Sequence, residues 1–279
     1  LNNLIAVTIG DIEGIGIEIL LKEWVNKSIK NFVLLTNIKI FTKNIKFSKK
    51  KINLINNLAF ENYDPQKLNI LDFKTKDKYT NKLQSLNLAY NLNKEKKFIG
   101  ILTLPINKKK INEHVNKNFI DQTTFFSNLE NSTDSNMIFI YNSKFFIPLT
   151  IHIELKNVYK FFKNKNKVMK KIESINNTLI NDFKINKPKL LIAGINPHAG
   201  EDNIISRDET KYLIPLINDL KKKKINIQGP VSGDSMVNKS NIKNYDAFIF
   251  TFHDQALIPF KIISNYKGVN FTSKLNIIR

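Results

Sequence analysis

Short apolar runs separated by glycines, prolines and polar clusters recur along the chain. Residues 4–9, 32–35, 38–41, 98–103, 188–194 and 247–252 are each too short for an amphipathic helix and read as buried strands. Residues 137–141 and 145–149 flank Asn142-Ser143 and predict a hairpin. Residues 149–153 continue as a strand in which His152 alternates with apolar neighbours. Helical spacing runs from Ile17 to about Val25, over residues 83–92, and through Tyr212, Leu213, Leu216 and Ile217, while residues 154–185 form a basic helical region. Residues 43–51 are a lysine-rich solvated connection. Strands alternating with helices predict an α/β class with parallel sheets.

In open α/β sheets ligands sit beyond the carboxyl ends of the strands, so the residues after each run carry the chemistry. After residues 4–9 comes Gly10-Asp11-Ile12-Glu13-Gly14-Ile15-Gly16, a strand–turn–helix junction of the kind that binds anions. Its spacing is G-x-x-x-G-x-G, not the dinucleotide fingerprint. After residues 247–252 come His253, Asp254 and Gln255, then Lys261, Asn270 and Arg279. An imidazole and a carboxylate beside two cations and an amide suit a small anionic ligand, with or without a metal. His152 and His198 also lie in or after strands, and three imidazoles with an open position are a known catalytic metal arrangement. Local pattern alone leaves each of these open to a bland reading: a core histidine, a polar turn, a basic surface. Asp234 beside Gly233 reads equally as a turn aspartate or as an acid/base or metal-orienting carboxylate.

Composition narrows the setting. The chain has 279 residues, 42% of them hydrophobic, enough for one large domain or two lobes around a cleft. Cysteine is absent, which excludes disulfides and thiolate metal sites. The N-terminal stretch lacks the basic start of a signal peptide and no apolar run is long enough to span a membrane, so a cytoplasmic protein without a membrane partner is expected. The net charge of +20 raises a nucleic-acid partner. However, lysine is spread along the whole chain and Arg207 and Arg279 are the only arginines. Bidentate phosphate and guanine contacts favour arginine, so the charge reads as compositional, with no specific nucleic-acid partner.

Taken together, HDQALIPFK (253–261), GVNFT (268–272) and the closing IIR (277–279) resemble the HDQGLIPFK, GVNxT and IR of 4-hydroxythreonine-4-phosphate dehydrogenases of vitamin B6 biosynthesis. GINPHAGE (194–201) is nearly identical to that family's GLNPHAGE, and GPVSGDS (229–235) matches its GPxxAD(T/S) with Gly233 for Ala. GDIEGIG (10–16), TLPINK (103–108) and the His152 segment resemble its GDPAGIGPE, TxPxxK and THxPL, with Ile12 and Ile17 replacing two prolines. FIDQTTF (119–125) departs from FxGHTEF: Gln122 stands where the family has a substrate-binding histidine, Asp121 replaces Gly and Thr124 replaces Glu, while Thr123 is retained. Glutamine hydrogen-bonds but carries no proton near neutral pH, so no proton shuttle is expected there.

The resemblance implies a fold like that of isocitrate and isopropylmalate dehydrogenases. Its lobes would span about 1–130, with the C-terminal segment from about 255, and 131–254, in a homodimer with shared active sites. It implies oxidation of 4-phosphohydroxy-L-threonine by NAD or NADP, followed by decarboxylation. One divalent metal (Zn, Mg or Co) would be held by His152, His198 and His253, with ligands from both subunits. Gln122, Thr123, Lys261, Asn270 and Arg279 would bind the substrate, and Asp234 is the catalytic candidate. Cofactor-binding residues are not assigned, and His114 matches no motif. Family members continue beyond the residue matched by Arg279, so the resemblance implies a fold truncated there, with weakened cofactor binding. Two alternatives stand: a dehydrogenase of a four-carbon sugar acid phosphate, or a truncated or degenerate non-enzymatic relative.

Overall fold

Alternate residues of a covered strand point to opposite faces, and both faces need helices over them. The computed structural model describes residues 3–115, 117–130, 135–275, 277 and 278. They form two units, Leu1–Asn131 with Leu275–Arg279, and Ser132–Lys274. Among the described residues no helix is long and apolar enough to cross a membrane.

In the first unit β1 (Ile5–Thr8), β2 (Phe32–Leu35), β3 (Ile52–Ile55), β4 (Leu68–Leu71) and β5 (Gly100–Thr103) form a parallel sheet in the order β3-β4-β2-β1-β5. Val7, Leu34 and Ile70 pack with α1 (Ile15–Val25) and α2 (Ile38–Asn44) on one face. Ala6, Val33, Leu71 and Ile101 pack with α3 (Lys78–Lys94), α4 (Lys108–His114) and α5 (Gln122–Leu129) on the other.

In the second unit β6 (Met137–Tyr141), β7 (Lys144–Pro148), β8 (Leu190–Ala193), β9 (Ile227–Val231), β10 (Ala247–Phe250) and β11 (Val269–Thr272) are ordered β11-β6-β7-β10-β8-β9. Strands β7, β10, β8 and β9 are mutually parallel. The hairpin β6–β7 turns at Asn142 and Ser143, φ 46° and 59°, as a two-residue primed turn requires. Ile147, Ile192 and Ile249 face α6 (Val158–Phe162), α7 (Lys165–Asn181) and α8 (Ile214–Lys222). Phe146, Leu191, Phe248 and Phe250 face α9 (Lys239–Asn244) and α10 (His253–Ser264). Strands β8 and β10 are neighbours, yet the helices after them cover opposite faces. The same divergence holds for β7 and β10, and a pocket lies beyond their carboxyl ends.

The structure corrects four expectations. Residues 38–41 are helix, not strand: the Asn37 side chain accepts from Ile40 N–H and Asp72 from Ile38 N–H, and only Phe41 is fully buried. The strand through residues 149–153 stops at Pro148, and His152 is exposed at φ 51°. His253, Asp254 and Gln255 are the first turn of α10 rather than a free turn. The chain rejoins the first unit at Leu275, not near residue 255, because α10 and β11 belong to the second unit; there Ile101 N–H donates to Ile278 O at 2.8 Å on the β5 edge.

Candidate functional site

The carboxyl ends of β7, β10 and β8 are tied together by side chains that bond to backbone. Thr150, just beyond β7, donates its hydroxyl to Thr251 O at 2.8 Å. Thr251, just beyond β10, is bonded through its hydroxyl to Gly194 O at 3.3 Å and to Gln255 Oε1 at 2.8 Å. Gln255 also accepts from Thr251 N–H at 2.8 Å and donates to Gly194 O at 3.0 Å. Every polar atom of the Gln255 amide is thereby engaged within the fold, which makes it a brace between β8 and β10 rather than a ligand contact.

Two residues beyond Thr150 and Thr251 come His152 and His253, whose ring centres lie 5.6 Å apart. They line a pocket of about 320 Å³ with Leu155, Phe252 and Asp254. Two imidazoles bound to one ion at about 2.1 Å and tetrahedral angles would have centres about 5 Å apart, so the pair fits a shared divalent ion. His253 Nδ1 lies 2.6 Å from Asp254 Oδ1, the carboxylate–imidazole arrangement that orients a metal-ligating ring and leaves Nε2 free of this bond. His198 stands on the loop after β8, near Asp234 in the 3-10 turn Gly233–Ser235 after β9. Among the described residues no group of three or more His, Asp or Glu side chains is placed to hold a metal.

The Asp234 carboxyl sits below the usual carboxylate range because the Ser232 hydroxyl donates to it, with His198 adding a smaller electrostatic effect. It is therefore ionised at neutral pH, the form that can accept a proton or orient a cation. Because its folded pKa is depressed, any stability tied to the charge is present above the unfolded value and lost as pH falls through the folded one. Ser232→Ala is expected to raise the Asp234 midpoint, read by carboxyl NMR titration. An unchanged midpoint assigns the depression to another group.

The expected substrate residues are distributed over both units. Gln122 opens α5 and is buried, donating to Leu104 O at 2.9 Å; Thr123 follows it, and Asp121 caps the helix by accepting from Thr124 N–H at 2.8 Å. Lys261 lies exposed in the last turn of α10, and Asn270 is exposed on β11. Arg279 lies outside the described residues. His114 stacks on Tyr79 with ring centres 4.1 Å apart.

The Gly10–Gly16 loop is organised from within. A Cβ on Gly10, at φ 62°, would stand 2.7 Å from Pro105 O, so glycine here lets the loop pack on the segment after β5. Beneath it Lys82, 1% exposed, lies 2.8 Å from Asp11, and Lys78 and Lys110 pair with Glu13. Of these cations Lys82 is engaged internally, while Lys78 and Lys110 pair with Glu13 at the surface. Residues 30–100 contain none of the candidate motifs, yet α3 supplies the loop's anchor. The available signal was the helical spacing of Asn81, Lys82 and Ser85 on the core side of α3. There Ser85 accepts from Ile9 N–H and donates to Leu35 O, and Asn81 bonds Thr36 and Asn37.

The larger cavity of about 590 Å³, under Trp24 and Tyr63, opens at the amino ends of β2, β3 and β4 and touches none of the candidate residues. The model of the family described as pyridoxal phosphate biosynthetic protein PdxA matches residues 27–279. The 4-hydroxythreonine-4-phosphate dehydrogenase of Wigglesworthia glossinidia brevipalpis is 32% identical, over 99% of this chain and 86% of that protein. That of Aquifex aeolicus is 31% identical, over 100% and 89%. A D-threonate 4-phosphate dehydrogenase from Pectobacterium atrosepticum is 27% identical, over 100% and 90%. The crystal structure of 4-hydroxythreonine-4-phosphate dehydrogenase from Klebsiella pneumoniae superposes with a TM-score of 0.84 at 24% identity, over 99% of this chain and 89% of that one, and so shares the fold.

Proposed function

The chain belongs to the PdxA family of pyridoxal phosphate biosynthetic proteins, and from that membership we propose that it is a dehydrogenase that oxidises the secondary hydroxyl of 4-phosphohydroxy-L-threonine. The hydride passes to a nicotinamide dinucleotide, NAD or NADP, and the 3-keto acid formed, 2-amino-3-oxo-4-phosphooxybutanoate, releases CO2 to leave 3-amino-2-oxopropyl phosphate. Relatives named for this substrate match at 26–32% and one named for D-threonate 4-phosphate at 27%, so identity alone does not separate the two; membership of a pyridoxal phosphate biosynthetic family supports this substrate over the four-carbon sugar acid.

The observation that carries the site assignment is the His152–His253 pair, with Asp254 behind it, at the carboxyl ends of β7 and β10. These two imidazoles, with that of His198, would hold a divalent ion (Zn, Mg or Co), which when bound polarises the substrate hydroxyl and stabilises the developing negative charge. Asp254 fixes the orientation of His253, and Asp234, beside His198, would serve as the acid/base or metal-orienting carboxylate. Lys261 and Asn270, with Arg279, would bind the phosphate and carboxylate ends, and Gln122 and Thr123 would add hydrogen bonds. Lys261 lies about 12 Å along α10 from His253, and among the described residues His198 joins no group of three. Both features support a site completed by a second copy of the chain, a homodimer with shared active sites.

A direct assay is nicotinamide reduction with 4-phosphohydroxy-L-threonine, with and without chelator, against D-threonate 4-phosphate. Chelator-sensitive turnover preferring the amino acid is expected. Turnover only on the sugar acid, or none with either substrate, overturns the reading.

A further inference from the structure

The loop that carries His198 adopts a backbone that side-chain-bearing residues resist. His198, Ala199, Glu201, Asp202 and Asn203 have φ of 52°, 52°, 43°, 53° and 74°, with Gly200 at 84° among them. Left-handed backbone costs a residue with a Cβ about 1–2 kcal/mol, so a run of this kind needs an outside constraint. Glu209 supplies one. It is 2% exposed and opens the π-helical turn Glu209–Leu213 ahead of α8. Its Oε1 accepts from Ile195 N–H at 2.8 Å and Asn196 N–H at 2.7 Å, and both oxygens lie 3.3 Å from the Asn196 amide nitrogen. A Cβ on Gly200 would come 2.7 Å from Oε2, so the loop closes around the carboxylate only because glycine stands there. Among the described residues no cation pairs with Glu209, and its bonds all go to the entry of the His198 loop.

We infer that Glu209 is a positioning residue for His198: the carboxylate fixes residues 194–196 and thereby sets where the imidazole stands relative to a divalent cation. The inference rests on the reading of His198 as a metal ligand. Removing a group that orients a ligand typically costs 10–100-fold in metal affinity.

Titration of the 279-residue chain with Co2+ alone, by calorimetry, tests it. Glu209→Ala is expected to weaken Co2+ binding about 10–100-fold. Should that variant not fold, Glu209→Asp, whose shorter side chain falls short of the two N–H groups, takes its place with the same expectation. Glu209→Gln, which keeps one accepting oxygen, is expected to restore affinity to within about threefold of the parent, a shift of no more than about 0.7 kcal/mol. Leu220→Ala removes buried packing from the same helix region and is expected to lower Tm while leaving Co2+ affinity unchanged. If Glu209→Ala or Glu209→Asp binds Co2+ like Leu220→Ala while His198→Ala loses binding, the inference fails and the metal reading stands. If His198→Ala binds Co2+ as the parent does, the metal reading itself fails and takes the inference with it.

Discussion

His253→Ala is expected to lower turnover of 4-phosphohydroxy-L-threonine by about a thousandfold and to abolish stoichiometric metal. A bound divalent ion contributes several kcal/mol of charge stabilisation, and about 4 kcal/mol corresponds to a factor of a thousand. The imidazole is well placed for that role, 5.6 Å centre to centre from His152 and held through Nδ1 by Asp254. The fold should tolerate the change, because His253 is the first residue of α10, is half-buried, and supplies no cap. Alanine suits a helix start at least as well as histidine does. Asp254→Asn should act through the ring it orients and cost about 10–100-fold. Steady-state nicotinamide reduction and metal analysis of the purified variants provide the check. Full metal content with normal turnover in His253→Ala would remove His253 from the site.

Lys82→Met is expected to be among the most destabilising single changes in the first unit. The Lys82 side chain is 1% exposed and its ammonium lies 2.8 Å from Asp11 Oδ1 and 5.4 Å from the Tyr79 ring centre. Methionine fills much of the same volume but leaves the Asp11 carboxylate, 13% exposed, without its cation. Breaking one side of a buried pair costs about 3–5 kcal/mol, since the remaining charge is neither hydrated nor compensated. For a unit of this size the midpoint of unfolding should fall by roughly 10–17 °C. Asp11→Asn with Lys82→Met should recover a sizeable part of the loss, because the uncompensated charge is then gone. Thermal unfolding of the two single variants and the double variant gives the coupling directly. If the double variant is as unstable as Lys82→Met, lost packing rather than charge explains the effect.

The exposed pairs of Glu13 with Lys78 and Lys110 should behave differently. Their hydrogen bonds, that of Lys78 foremost, hold Glu13 below the usual carboxylate range. The carboxylate is nonetheless largely solvated, and salt should weaken these pairs far more than it weakens Lys82–Asp11.

Much of the architecture was legible because it is written in local pattern. The runs that became β1, β2, β5, β8 and β10 are continuous apolar stretches, which only a sheet covered on both faces accommodates. Asn142-Ser143 announced the β6–β7 hairpin because few residue pairs accept the two positive φ values of its turn. Residues 38–41 misled because an apolar run of that length has no decisive period; the Asn37 cap and the Asp72 carboxylate decided for helix. His152 looked like a core histidine by alternation, but Pro148 closes β7 and the chain turns outward at φ 51°.

The sequence by itself determined the α/β class, the order of most elements and which short motifs carry the chemistry, since each depends on neighbours within a few residues. Only the tertiary structure decided which motifs meet. The strand order β7-β10-β8 places Thr150, Gly194 and Thr251 within hydrogen-bonding reach, brings His152 beside His253 across about a hundred residues of chain, and leaves Gln255 as a brace. It also turned two polar residues beside the helical patterns of residues 83–92 and 212–217 into internal anchors, Lys82 for the Gly10–Gly16 loop and Glu209 for the His198 loop. The physical reason is that a buried charge is defined by the partner that replaces its water, and that partner lies wherever the sheet order puts it, at no fixed distance along the chain.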